Sequence, residues 1–261
     1  MVGIENFLLD NFILFFLVFI RMLSLFIISP IFSRTNVPSY IKIGLSIFCA
    51  FAIVPVIEVN VIDFFNPLNF AIVVLKELTV GLILGFIGHL VFSSLLVAGQ
   101  IIDVQIGFGM VNVLDPQNNI QIPLVGNFLY LIATNAFLVV NGHHAILTSL
   151  VKSFDIVPIG GFILTDNLVK NMIGFFAESF TIGFKIAIPI IAAVLLSEVA
   201  LGILARTVPQ MNVFVVGLPM KIAIGLLSLL FIMPVFTSVL DYIFNKLFAF
   251  ISIILQSMIK G

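Results

Sequence analysis

The chain has 261 residues, of which 62% are hydrophobic and 9% are charged, and its mean hydropathy is +1.32. A soluble domain carries roughly 25% charged residues, so this composition excludes a water-soluble globular protein and predicts an integral membrane protein. The formal net charge is −1, which leaves no basic excess for a nucleic-acid partner. The single cysteine, Cys49, excludes an internal disulfide and a thiolate metal cluster.

Apolar segments long enough to cross a bilayer follow one another along the chain, since about 20 such residues span the hydrocarbon as a helix. They predict an all-α membrane protein without a soluble domain. The predicted spans are 12–32, 41–57, 68–97, 124–140, 168–204 and 213–239, followed by an amphipathic run at 242–259. If these count as seven crossings, the small excess of Lys and Arg favours an outside N-terminus and a cytoplasmic C-terminus.

Three glycines share one face of the third span. Gly81, Gly85 and Gly88 are spaced i, i+4 and i+7, which brings them close to one line along a helix. Small residues at such positions let helix backbones approach closely in membranes. The spacing therefore predicts that another helix packs directly against this face.

The stretch 99–123 interrupts the apolar sequence with glycines, prolines and mostly uncharged polar residues. Irregular backbone at membrane depth is tolerated only where protein buries it or where it lines a water-filled cavity. We therefore predict that this stretch forms a loop in or beside a conduit. Its polar residues Asp103 and Gln105 have two interpretations: they bind a substrate, or they satisfy backbone groups where the helix ends.

Charged side chains inside the apolar spans are a second unusual feature, because each costs a few kcal/mol unless it is paired or faces water. They are Arg21, Lys76, Glu77, Glu178, Lys185 and Lys221. Glu178 and Lys185 lie two turns apart on one helical face. These charges either form a proton or ion path, or they pair with helices of other subunits and are not exposed to lipid.

Two adjacent histidines, His143 and His144, suggest a metal site. A chelating pair on a helix requires i, i+4 spacing, which this pair lacks, so the alternative is a polar helix end next to Asn141. No nucleophile elbow, phosphate-binding loop or dinucleotide motif occurs. The sequence therefore predicts no enzyme and no cofactor.

Four segments, taken in order, resemble one family: the R component of the flagellar type III secretion export gate (the FliR family), with its injectisome counterpart, the T component. They are RMLSLFIISPIF at 21–32 with VP at 37–38, GQIIDVQIGF at 99–108 with DP at 115–116, NGHH…SF…PIGG at 141–161, and LGILARTVPQMNVFVVGLP at 201–219. Together they cover nearly the whole chain.

The resemblance implies a single-copy subunit of long kinked helical hairpins. It implies one export-gate domain over 1–261, with a P-like part over about 1–200 and a Q-like hairpin over about 201–261. Such a subunit would assemble with several copies of the P and Q components into a helical cone in the bacterial inner membrane, at the flagellar basal body. The B and A components, the basal-body ring, membrane lipid and unfolded secreted proteins would be its other partners.

The resemblance also implies site residues. The loop 106–122 would plug the channel beneath a methionine ring of the P component, with plug residues Ile106, Gly107, Phe108, Gly109, Met110, Val111, Val113 and Leu114. Buried charges would hold the assembly together, namely Arg21, Glu178, Lys185, Arg206 and Lys221.

Two other functions remain open from the residues themselves. The first is a secondary transporter with a midplane site built from Glu178, Lys185 and Asp103, since long broken helices are typical of transporters. The second is a membrane metalloenzyme built on His143 and His144.

Overall fold

A computed structural model describes residues 2–30, 32, 37–57, 66–108, 123–208, 210 and 212–259, with the side chains of 2–10, 213 and 214 left aside. Within these residues the chain forms helices and no strand, which confirms the predicted all-α class. The helices are α1 (Val2–Ile28), α2 (Ser39–Ile53, continued by a 3-10 turn at Val54–Val56), α3 (Pro67–Ile106), α4 (Leu124–Val139), α5 (Gly142–Ile156), α6 (Asp166–Thr207) and α7 (Val213–Ser257).

Five described helices (α1, α2, α3, α6 and α7) are long and apolar enough to cross a membrane, and α4 with α5 raises the number to six if the two count as one span. Among the described residues, the number of candidate spans is therefore five or six, and the count of seven crossings stays a prediction. The run 242–259 does not form a separate span, because α7 continues unbroken through 45 residues. At 1.5 Å per residue, α3, α6 and α7 are each about 60 Å or longer, roughly twice the hydrocarbon thickness.

Two further boundaries differ from the sequence expectation. The third span continues as helix to Ile106, so 99–106 of the predicted loop is helical. The stretch after Asn141, which lies outside the predicted spans, is helix α5, and it starts where Asn141 takes a left-handed conformation with φ of 57°. The inferred boundary near residue 200 between a P-like and a Q-like part falls inside α6.

The chain divides into two compact units, and the first comprises Met1–Leu90, Asn141–Phe175 and Asn245–Gly261. Its glycine face confirms the predicted close helix contact. A Cβ at Gly81 would coincide with the Ser24 hydroxyl and the Arg21 carbonyl, and one at Gly85 would lie 2.9 Å from the carbonyl oxygen of Leu25. The absent side chains on α3 therefore let the backbone of α1 lie directly against it.

The second unit comprises Val91–Val140 and Phe176–Phe244. Gly99 of α3 meets the backbone of Gly126 of α4, and a Cβ at Gly183 of α6 would lie 2.5 Å from the carbonyl oxygen of Ser94. Gly99 therefore serves as a helix contact and does not break α3. Aromatic rings pack beside these contacts. Phe92 and Phe137 meet edge-to-face, with 5.6 Å between their ring centroids.

We expect Gly81→Ala to lower the thermal unfolding midpoint of the protein extracted in mild detergent by several degrees, because the new methyl group must push α1 away from α3. Gly44→Ala is the matched control, since nothing lies within 4 Å of a Cβ on that α2 glycine. An alanine there should leave the midpoint unchanged or raise it slightly. Equal midpoints for both variants would show that the glycine face is not a packing constraint.

Candidate functional site

A buried arginine lies at the centre of the first unit. Arg21 of α1 and Glu77 of α3 both have no solvent exposure, and the Nε of Arg21 donates a hydrogen bond of 2.6 Å to Oε2 of Glu77. A buried ion pair is stable only when its remaining donors and acceptors also find partners. The surrounding backbone supplies those partners.

The guanidinium of Arg21 binds the C-terminal end of α5. Nη1 donates to the carbonyl oxygens of Ser153 and Val157, each at 3.1 Å, and Nη2 donates to Val157 at 3.1 Å. The guanidinium carbon also lies 4.1 Å from the ring centroid of Phe154. The carbonyl of Ser153 also accepts the backbone N–H of Val157 at 2.8 Å, so the arginine adds donors at this helix end while its own charge is neutralised by Glu77.

The other carboxylate oxygen of Glu77 holds the turn that follows α5. The backbone N–H of Gly160 donates to Oε1 of Glu77 at 2.9 Å, and Nζ of Lys76 donates to the carbonyl oxygen of Gly160 at 2.9 Å. Gly160 has a φ of 73°, a conformation that favours glycine. We refer to Arg21, Glu77, Ser153, Val157 and Gly160 together as the arginine clasp, which ties α1, α3 and α5 into one unit.

The clasp changes the interpretation of the charged residues. The partner of Arg21 is within the chain, so neutralising this arginine does not require another subunit. Of the other four charges assigned to assembly, Glu178 and Lys221 are partly exposed, while Lys185 and Arg206 are exposed in the chain itself. Lys221 forms an ion pair with Glu198, a residue that the sequence analysis did not select. A role of these four in assembly stays a prediction.

In the second unit, Asp103 fixes two helix ends. Its buried carboxylate accepts from the backbone N–H of Val125, in the first turn of α4, at 3.2 and 3.3 Å. Its own carbonyl oxygen accepts from the N–H groups of Gly107 and Phe108, at 3.1 and 3.0 Å, which ends α3. Of the two interpretations for Asp103, the contacts support backbone satisfaction.

The predicted plug residues fall into two groups. Ile106 is fully buried as the last residue of α3 and packs where Gly225 leaves space on α7, so it is not a loop side chain. Gly107, with φ of 101°, and Phe108 follow as a partly exposed turn. The others lie outside the described residues, namely Gly109, Met110, Val111, Val113 and Leu114.

The residues of the two alternative functions are not assembled into sites. Glu178 and Lys185 line a cavity of about 330 Å³ in the second unit, but Asp103 is not among its lining residues. The rings of His143 and His144 lie 4.5 Å apart at the start of α5, where they begin a helix and do not end one. Among the described residues, no group of three or more His, Cys, Asp or Glu side chains is arranged to hold a metal ion.

We expect Arg21→Met to be strongly destabilising, because it leaves the buried carboxylate of Glu77 without its cation; such losses typically cost about 3–5 kcal/mol. The thermal unfolding midpoint in mild detergent should fall by roughly 10 °C. Lys221→Met is the matched control, since that ion pair is about one-third exposed and should contribute below about 1 kcal/mol. Similar midpoints for the two variants would contradict a structural clasp.

Comparisons with known proteins agree with the resemblance in the sequence. The model of the family described as bacterial export proteins, family 1, matches residues 12–247. The flagellar biosynthetic protein FliR of Bacillus subtilis is 38% identical over 249 residues, covering 92% of this chain and 93% of the relative. The Escherichia coli protein of that name is 30% identical, and the match covers 94% of each of the two chains. The Aquifex aeolicus protein of that name is 31% identical, and the match covers 92% of each of the two chains. The chain therefore belongs to family 1 of the bacterial export proteins.

Proposed function

We propose that the chain is a subunit of the flagellar protein export apparatus that helps to form and close a protein-conducting channel in the bacterial inner membrane. The relatives are named flagellar biosynthetic proteins and match nearly the whole chain, which supports the flagellar assignment. The closing element is the segment between Gly107 and Pro123. The subunit acts by position and shape and has no catalytic role.

One observation carries the closing role: both ends of this segment are fixed at the same residue. Asp103 binds Gly107 and Phe108 through its carbonyl oxygen and the start of α4 through its carboxylate. The chain therefore leaves α3 and returns to α4 beside one buried aspartate. The two points where the segment joins its flanking helices are therefore held next to each other.

The composition of the segment suits a seal. Between its ends the chain carries bulky apolar residues with short polar ones, of which Asp115 alone is charged. Apolar side chains in a narrow lumen exclude water, and a dry constriction blocks ions. Gly107 and Gly109 permit backbone states that other residues rarely adopt, so the segment can move aside for an unfolded polypeptide.

The assembly that surrounds the channel requires partners. Much of the described apolar surface is exposed in the single chain; Phe48 and Phe51 of α2, for example, are 71% and 76% exposed. We propose that copies of the P and Q components cover part of this surface and that lipid covers the remainder. The B and A components and the basal-body ring would then contact the resulting complex.

Deleting 107–112, or changing Phe108 and Met110 together to Ala, should leave assembly largely intact and make the membrane leaky. Asp103→Leu should have a similar effect, because it releases the start of α4 from its anchor. The measurement is small-ion flux in cells that express the complex, compared with wild type at equal complex abundance. We expect a severalfold rise in flux from each variant.

The control for Asp103→Leu is Asp241→Leu, because Asp241 is an exposed aspartate of the same unit that binds no helix start among the described residues. A deletion that assembles normally and leaves the membrane tight would show that the segment is ordinary packing between helices. If the deletion variant does not assemble, the Phe108 and Met110 double variant tests the closing role, because it leaves the backbone unchanged.

A further inference from the structure

A small cavity lies among α1, α3, α5 and α7 in the first unit, and none of the residues of the arginine clasp lines it. Its volume is about 10 Å³, enough for one water molecule and too small for an organic ligand. The lining includes Leu25 and Ser29 from the end of α1, Gly85 and Gly88 from α3, and Ser149 from α5. The other lining side chains are aliphatic, so among the described residues two serines supply its polar side chains.

Ser29 contributes a buried hydroxyl to this cavity. The residue is 1% exposed, and among the described residues no hydrogen bond reaches its Oγ. Ser24, which is also buried on α1, satisfies its hydroxyl by donating to the carbonyl oxygen of Arg21 at 2.9 Å. A buried hydroxyl without a partner is destabilising, and in native proteins an ordered water commonly supplies the missing hydrogen bond. The position of Ser29 in the cavity lining therefore points to a ligand that can accept its proton.

Two further polar atoms can bind such a ligand. The Oγ of Ser149 donates to the carbonyl oxygen of Ala145 at 2.8 Å, which uses its hydrogen and leaves its lone pairs to accept. The carbonyl oxygen of Leu25 accepts the backbone N–H of Ser29 at 2.8 Å and has a second lone pair. This oxygen faces Gly85, another lining residue, because a Cβ there would lie 2.9 Å from it. One donor and two acceptors match the hydrogen-bonding capacity of a water molecule.

We propose that the cavity is a binding site for one ordered water molecule that joins the end of α1 to α5. The hydroxyl of Ser29 donates to the water oxygen, and the water donates its two hydrogens to Oγ of Ser149 and to the carbonyl oxygen of Leu25. A buried water in a protein typically makes about three hydrogen bonds. A wholly apolar cavity stays dry, whereas this one combines an unsatisfied hydroxyl with a second serine.

The glycine face of α3 leaves room for this water. Gly85 and Gly88 both line the cavity, and a Cβ at Gly88 would lie 3.1 Å from Cδ of Pro30. The same face thus has two roles: at Gly81 it admits the backbone of α1, and one and two turns further along it leaves space for a ligand. The proposal uses only the first unit and is independent of the channel-closing role.

The direct test is electron cryo-microscopy of the chain in its complex, at a resolution that shows ordered water. We expect one density peak within about 2.6–3.2 Å of Oγ of Ser29 and of Oγ of Ser149. An empty cavity between two well-resolved serines would overturn the proposal. A side chain of a neighbouring subunit in that place would overturn it as well.

Ser29→Ala gives a second readout, because its effect differs with and without the water. With water bound, the variant removes one of its three partners, and the thermal unfolding midpoint of the complex in mild detergent should fall by about 2–4 °C. Without water, the variant deletes an unsatisfied hydroxyl, which is neutral or stabilising. An unchanged or raised midpoint would therefore contradict the water site.

A double variant distinguishes a shared ligand from two separate losses of packing. Ser149→Ala should lower the midpoint as Ser29→Ala does, and the two together should lower it by less than the sum, because both act on one water. Additive falls would show that the serines share no ligand. Ser252→Ala is the matched control, since this exposed serine of the same unit donates to Ala249 and does not line the cavity. Its midpoint should equal that of the wild type.

Discussion

The first unit depends on one buried ion pair, Arg21 with Glu77. An arginine in the middle of an apolar helix costs about 2.5–3.5 kcal/mol on insertion scales, so it persists only where its charge and all its donors are used. Here the carboxylate neutralises the charge, and the carbonyl oxygens at the end of α5 accept the remaining N–H groups. The same carboxylate holds the turn at Gly160. The glycine face of α3 makes this possible, because it brings the backbone of α1 close enough for the two side chains to meet.

In the second unit, Asp103 provides the buried carboxylate that binds backbone groups. Backbone groups at helix ends have no water to bind inside a membrane, so each must find a partner in the protein. Glu77 and Asp103 both use a buried carboxylate to satisfy backbone N–H groups at a turn or a helix start. Two acidic residues of the apolar helices, Glu77 and Asp103, thus act as backbone partners.

The sequence predicted the helical class, most helix positions and the glycine face, because apolar length and i, i+4, i+7 spacing are local properties. It did not predict the pairing of Arg21 with Glu77 or the anchoring of α4 by Asp103, since these contacts join residues far apart in the chain. Helix α5 was missed because its polar residues, such as Lys152 and Ser153, reduce its hydropathy, and its end is satisfied by an arginine of another helix. The end of α3 at Ile106 lies beyond the predicted end of the span, because Gly99 makes close contact with Gly126 and does not end the helix. The identity of the closing segment rests on sequence and on its two fixed ends.

Cross-linking tests the closing role most directly, and the chain is suited to it because Cys49 is its only cysteine. In a Cys49→Ser background, Met110→Cys introduces one thiol into the segment, and Phe48→Cys introduces one on the exposed face of α2 as a control. A secreted substrate with a cysteine series is stalled during export, and disulfide cross-links to the stalled polypeptide are counted. We expect cross-links from position 110 and none from position 48. Normal export with no cross-links from position 110, or equal yields from both positions, would contradict a closing segment inside the channel.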